Sequence, residues 1–276
     1  MAQEQFFVKF WGVRGSLPTP GPDTIEFGGN TPCIEIRCGK RILVFDAGSG
    51  IRPLGNQLAA ENVHSLDMFF THCHYDHIGG LPFFAPFYRA DTQVRVWAGH
   101  SSGEWPAQAM FEAFMKPPFF PVPPKIFHAH VGYKDFKPKT TLDLGDGIFI
   151  KTAALNHPGG AVGYRVEYEG KSICYVTDTE HVPGYPDEAI LELIENADVM
   201  IYDATFSDDN FAQYAGFGHS TWQEGARLCE AANVKKYVIF HHMPAMSDAN
   251  LRTLEVAAKQ LFAGSSVARE GTLIAP

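Results

Sequence analysis

The segment Thr71-His72-Cys73-His74-Tyr75-Asp76-His77 packs four ligand-type side chains into six residues. Imidazole with carboxylate is a donor set that suits zinc, iron or manganese. In extended backbone residues two apart share a face, so His72 and His74 can aim at one point where the apolar run Met68-Phe69-Phe70 ends. Asp76 and His77 follow where the chain turns toward Gly79-Gly80, which lets them face a second point nearby. Two ions about 3.5–4 Å apart form a known hydrolytic arrangement. A lone His-X-His is weak evidence, because histidines also cluster in solvated loops. The complete His-X-His-X-Asp-His string after a buried strand is a far stronger signal.

The string resembles the signature of the metallo-β-lactamase superfamily, and later segments extend the match across most of the chain. They are Leu155-Asn156-His157-Pro158, Tyr175-Val176-Thr177-Asp178-Thr179 and Ile239-Phe240-His241-His242-Met243-Pro244. The resemblance implies an α/β fold, a four-layer αββα sandwich, with ligands on loops along one edge. It also implies two divalent metal ions, zinc with manganese or iron as alternatives. His72, His74 and His157 would hold one, Asp76, His77 and His242 the other, and Asp178 would bridge them. The usual order is strand, one further residue, then ligand, as in Phe70-Thr71-His72. Copied onto Phe240-His241-His242, that order selects His242.

Tyr202-Asp203-Ala204-Thr205-Phe206 followed by Gly218-His219-Ser220-Thr221 is similar to ribonuclease Z and the related cyclic-phosphate phosphodiesterases. That similarity implies His219 as general acid and Asp203 as its orienter, with Asp76 also counted among the catalytic groups. Alternatively His219 bonds only to backbone at a helix start, and Asp203 caps a turn. The expected activity is attack by metal-bound hydroxide on a small phosphodiester, a cyclic nucleotide among them. The competing readings are a non-hydrolytic diiron oxygen-binding sensor and a glyoxalase II-like thioesterase. The thioesterases share the ligands but do not require His219-Ser220-Thr221.

These groups need strands to deliver them. Alternation predicts strands over Phe6–Trp11, a hairpin of Cys33–Arg37 and Arg41–Asp46, Gln93–Ala98, Ile148–Leu155, Val162–Tyr168, Ser172–Thr177, Val199–Tyr202 and Lys236–Phe240. Helices are expected over Arg52–Ala60, Glu104–Met115 and Pro186–Glu195, then from Ser220 or Thr221 to Ala232, and from Asp248 onward. Leu81–Tyr88, interrupted by Pro82 and Pro86, predicts a short helix or broken turn. The chain is expected to be one domain, 1–276, with a Pro/Phe-rich loop insertion around 100–140. His128-Ala129-His130 lacks partner motifs and is expected on a strand surface.

Two segments invite a substrate-binding reading. Arg14, in Gly12-Val13-Arg14-Gly15-Ser16, could hold a phosphate or pair with Asp46. Phe119 and Phe120, in a proline-rich loop, could stack on a base or cover their own core. The formal charge of −9 over 276 residues argues against long nucleic acid and leaves a small anionic substrate held by metals allowed. Five cysteines without finger spacing argue against a disulfide framework. No signal-like N-terminus or long apolar run is visible. The expectation is a cytoplasmic protein without a membrane partner, a homodimer being allowed.

Overall fold

The computed structural model describes residues 6–100 and 105–276. Met1–Gln5, and Glu104 from which a helix is expected to start, lie outside the described residues. The chain begins β1 (Phe6–Gly12), β2 (Cys33–Cys38), β3 (Arg41–Phe45), α1 (Ile51–Ala60), β4 (Ser65–Phe70), α2 (Tyr75–Ile78), β5 (Gln93–Ala98), α3 (Ala107–Phe114) and β6 (His130–Asp135). It continues β7 (Thr141–Asp143), β8 (Phe149–Leu155), β9 (Ala161–Tyr168), β10 (Lys171–Val176), α4 (Glu188–Ile194), β11 (Val199–Asp203), α5 (Trp222–Ala231), β12 (Lys236–Phe240), α6 (Asp248–Leu261), β13 (Ser265–Val267) and β14 (Leu273–Ile274).

Two seven-stranded sheets result, ordered β14-β1-β2-β3-β4-β5-β6 and β13-β12-β11-β10-β9-β8-β7. Period-two alternation decides which way each side chain faces. Leu43 and Phe45 of β3 enter the core shared by the two sheets, whereas Ile42 and Val44 enter a core under the helices. In β10, Ile173 and Tyr175 face the shared core while Cys174 and Val176 face α4 and α5. In β12, Val238 and Phe240 point inward and Tyr237 and Ile239 outward. Helices outside each of two packed sheets make the αββα sandwich.

The strands that matter chemically run parallel: β3 with β4 and β5, and β10 with β11 and β12. Their C-terminal ends therefore lie along one edge. Thr221 caps α5 by accepting from the Glu224 N–H at 3.1 Å, and Ser247 caps α6 in a reciprocal box with Asn250. Leu81–Tyr88 resolves into two 3₁₀ turns, Leu81–Phe83 and Ala85–Tyr88, as its prolines demand. The sequence reading omits β7, β13 and β14, and touches β6 only through the strand surface expected at His128-Ala129-His130. Each is short or half-exposed, and none carries a clean apolar alternation. His128 and His130 are exposed, and β6 starts at His130. Among the described residues no helix is long and apolar enough to cross a membrane.

Candidate metal centre

β4 ends at Phe70, and the following residues carry His72 and His74 to a point that His157 reaches from beyond the end of β8. The three rings lie 4.5, 4.7 and 4.9 Å apart, and one nitrogen from each falls within 4.8 Å of the others. His74 Nδ1 and His157 Nε2 face each other at 3.0 Å. A second group joins Asp76 and His77, from α2, to Asp178 beyond β10 and His241 beyond β12. Asp178 faces both groups. Its oxygens lie 3.2 Å from His77 Nε2 and 3.4 Å from His241 Nε2, and 3.8 and 3.9 Å from His72 and His157 Nε2.

The expected last ligand needs correction, because His241 and not His242 joins the cluster. Phe240 is the last strand residue, and His241 turns at once into the left-handed region, φ 62°. That turn swings its ring to 3.2 Å from Asp76 Oδ2. Gly15 makes the room, since a Cβ there would sit 2.4 Å from the His241 ring. His242 points the other way, with Nε2–H donating to the Ala268 carbonyl at 2.9 Å and its ring against the edge of Phe27. Burial lowers its pKa to about 3, so it is a neutral core residue. The strand-plus-one order holds at Phe70-Thr71-His72 but not at β12, where positive φ saves one residue.

Supporting contacts fix the rings of His72, His77, His157 and His241. Asp46, fully buried at the end of β3, accepts from Thr71 N–H at 2.8 Å, Thr71 Oγ1, His77 Nδ1 at 2.8 Å and the Tyr175 hydroxyl at 3.0 Å. With its Nδ1–H engaged, His77 presents the Nε2 lone pair to the cluster. Thr71 Oγ1 lies 3.0 Å from His72 Nδ1, and the Gly218 carbonyl accepts from His157 Nδ1 at 2.7 Å. Thr205 Oγ1 lies 3.0 Å from His241 Nδ1 and donates to Asp203 Oδ1 at 2.8 Å. Of these partners the sequence reading singled out only Asp46 and Asp203.

The donor set suits cations on three counts. His72 Nε2 and His77 Nε2 are buried without a hydrogen-bond partner, a costly state unless something accepts their lone pairs. Asp46, Asp76, Asp178 and Asp203 are all buried here, and among the described residues none pairs with Lys or Arg. Burial holds His72, His74 and His157 below the usual imidazole value, which keeps them neutral. His77 is raised: burial opposes its charge, but Asp178, Asp76 and Asp46 outweigh it. Surplus carboxylate charge facing the neutral imidazoles of His72, His74 and His157 is what a site for hard or borderline divalent ions looks like.

His219 stands beside this cluster, its ring stacked on His241 at 4.8 Å and its Nδ1 2.9 Å from Asp203 Oδ2. Burial disfavours the imidazolium, but the Asp203 carboxylate more than compensates and raises the pKa to about 9. Asp203 is itself held by the N–H groups of Thr179 at 3.3 Å and Thr205 at 3.1 Å. The bland alternatives, a backbone-bonded His219 and a turn-capping Asp203, therefore understate a pair that faces the cluster.

The expected substrate contacts fare differently. Arg14 is fully buried and donates to the carbonyls of Gly28 at 2.8 Å and Met246 at 2.5 Å. It meets neither open cleft nor Asp46, and ties together loops distant in sequence. Phe119 is 77% exposed, and Phe120 packs edge-on against Phe83 at 6.2 Å, so neither covers a core cluster. Two exposed aromatics went unnoticed in the sequence: Tyr75, between His74 and Asp76, and Phe217, two residues before His219.

Residues 41–242 match the family described as Beta-lactamase superfamily domain, and the chain belongs to that family. Within the superfamily the similarity is to ribonuclease Z. Ribonuclease Z of Thermoplasma acidophilum is 24% identical over 302 residues, covering 91% of this chain and 90% of its own. Human tRNase Z, short form, superposes with a TM-score of 0.66 at 19% identity, covering 98% of this chain and 99% of its own. A diphosphatase from the PhnP family superposes at 0.70 with 18% identity, covering 98% and 97%. The chain is thus a ribonuclease Z-like hydrolase of the metallo-β-lactamase superfamily.

The expectation that acidic charge excludes long nucleic acid is overturned by the ribonuclease Z relatives, which align along nearly the whole chain. Formal charge sums over the whole surface, whereas a metal centre supplies positive potential locally.

Proposed function

We propose that the protein is a dinuclear phosphodiesterase. His72, His74 and His157 would hold one ion, Asp76, His77 and His241 the other, and Asp178 both; zinc suits the donors best, with manganese or iron as alternatives. Such a pair, when bound, supplies Lewis acidity and a water of lowered pKa. The observation that carries the reading beyond the fold is the Asp203–His219 pair beside the cluster. Asp203 engages Nδ1, so Nε2 of His219 is free to deliver a proton to the departing alkoxide oxygen. Asp46 keeps the His77 ring oriented, and Thr205 links the acid pair to His241. We read 1–276 as one catalytic unit with residues around 100–140 inserted.

Neither the oxygen-binding nor the thioesterase alternative accounts for the Asp203–His219 pair. Within phosphodiesterases, the resemblance to cyclic-phosphate enzymes favours a small cyclic nucleotide. A second reading, RNA, is supported by the ribonuclease Z relatives and by Tyr75 and Phe217, 70% and 62% exposed, the first between His74 and Asp76 and the second two residues before His219. Such rings can stack on bases. Zinc- or manganese-loaded protein should hydrolyse bis(p-nitrophenyl) phosphate. His219→Ala should slow turnover by roughly 10²–10⁴-fold with metal content unchanged; full activity in that variant removes the acid. Comparing cyclic nucleotides with 3′-extended RNA under the same conditions decides between the substrates.

A further inference from the structure

Glu180, two residues past Asp178, is half-buried and lies outside every ligand group described above. Its carboxylate accepts from the N–H of Gly216, at 2.9 and 2.8 Å to its two oxygens, and from the N–H of Gly218 at 2.8 Å. Its own main chain is fixed to Asn156, the residue before His157. Glu180 N–H donates to the Asn156 carbonyl at 2.8 Å, and the Asn156 amide returns a bond to the Glu180 carbonyl at 2.7 Å. One residue thus bridges the ends of β8 and β10 to the turn before α5.

Besides Glu180, the turn is held by the Phe217 N–H, which donates to the Tyr214 carbonyl at 3.1 Å, and by Gly218, which packs closely on His157 and Pro158. Gly216 and Gly218 adopt φ of 89° and 85°, a region glycine enters freely and leaves as freely. Phe217 between them is largely exposed, with one edge contact to Tyr214 at 5.7 Å. Yet its geometry matters, because the Gly218 carbonyl holds His157 Nδ1 and His219 comes next. Two N–H groups, from Gly216 and Gly218, converge on one carboxylate and give that turn a hydrogen-bonded anchor.

We propose that Glu180 is a positioning residue for the reaction: it locks the Gly216–Gly218 turn so that one carbonyl sets the tautomer and direction of His157 while His219 is held beside the cluster. The proposal rests on the roles given to His157 and His219 above. Among the described residues no Lys or Arg pairs with Glu180, so its oxygens are left to accept from these two N–H groups.

The test compares Glu180→Ala and Glu180→Gln by calorimetric zinc titration of metal-free protein and by turnover of bis(p-nitrophenyl) phosphate. Glu180→Ala should weaken one of the two binding events and lower kcat, each by about 10–100-fold. KM and the thermal midpoint should stay close to wild type. Glu180→Gln should recover most of both losses, because its amide oxygen still accepts from Gly216 and Gly218. Unchanged zinc affinity and kcat in Glu180→Ala would overturn the proposal. So would equal impairment of the two variants, or losses that follow the thermal midpoint. His157→Ala that still binds two ions would instead refute the role of His157. Should the phosphodiester reading fail, the zinc titration still reports on Glu180.

Discussion

Asp46 and Asp178 occupy matching places in the two halves of the molecule. Each follows a central strand, β3 or β10, each turns into the left-handed region at φ 59°, and each is buried. Their surroundings differ. Asp46 is met by donors of the chain itself: the Thr71 N–H and hydroxyl, the His77 Nδ1–H and the Tyr175 hydroxyl. Asp178 receives the Thr177 hydroxyl at 2.7 Å and otherwise faces imidazole nitrogens at 3.2–3.9 Å. One backbone device serves two ends, since a saturated carboxylate orients a neighbour and an unsaturated one is left for an ion. Strained strand ends of this kind cluster at functional sites.

Breaking the unsaturated member should have the largest effect. Asp178→Asn should abolish binding of at least one ion and lower turnover on the order of 10³-fold, measured by metal analysis beside kinetics. Wild-type metal content in that variant would end the comparison. Asp46→Asn should be milder, about 10–100-fold in metal affinity or activity, because it perturbs the direction of His77 without removing a ligand. Titration with zinc checks it, and a loss as large as that of Asp178→Asn would mean that Asp46 acts as more than an orienter.

Asp67 sharpens the contrast as a third buried carboxylate, saturated by cations of the chain. It binds Arg95 through two bonds of 2.7 Å, Arg41 at 2.8 Å and the Trp97 indole at 3.1 Å. Burial pushes its pKa up, but Arg95 and Arg41 outweigh that and hold it below the ordinary carboxylate value. A depressed folded-state pKa adds stability that is present above the unfolded value and lost as pH falls through the folded one. Asp67→Asn should cost about 1.5–3 kcal/mol near neutrality by removing the buried charge that Arg95 and Arg41 share. The gap to wild type should narrow as the medium is acidified below the carboxylate range, as urea unfolding across pH would show. Metal content should not change. The smallest effect belongs to His242→Gln, whose amide can still donate to the Ala268 carbonyl. Zinc analysis should find two ions there, and a lost ion would restore His242 as the ligand.

Much of this was readable in the residues. The His72–His77 string follows the apolar run Met68-Phe69-Phe70, His157 and Asp178 stand at strand ends that alternation locates, and Ser220 or Thr221 announces the helix after His219. The choice between His241 and His242 was not readable, because it turns on one backbone dihedral that two identical side chains cannot report. Arg14 misled for another reason: its acceptors, at Gly28 and Met246, are set by tertiary packing across most of the chain. Glu180 carries no motif either, since its partners are backbone groups and any sequence supplies those. Net charge was the poorest guide, for it averages over a surface on which recognition is local.

The most direct test is anomalous diffraction at the zinc edge from crystals of the metal-loaded protein. The account predicts two peaks about 3.5–4 Å apart, one among His72, His74 and His157 and the other among Asp76, His77 and His241, with Asp178 touching both. A single peak, a peak at His242, or none in protein that still turns over phosphodiesters would contradict it.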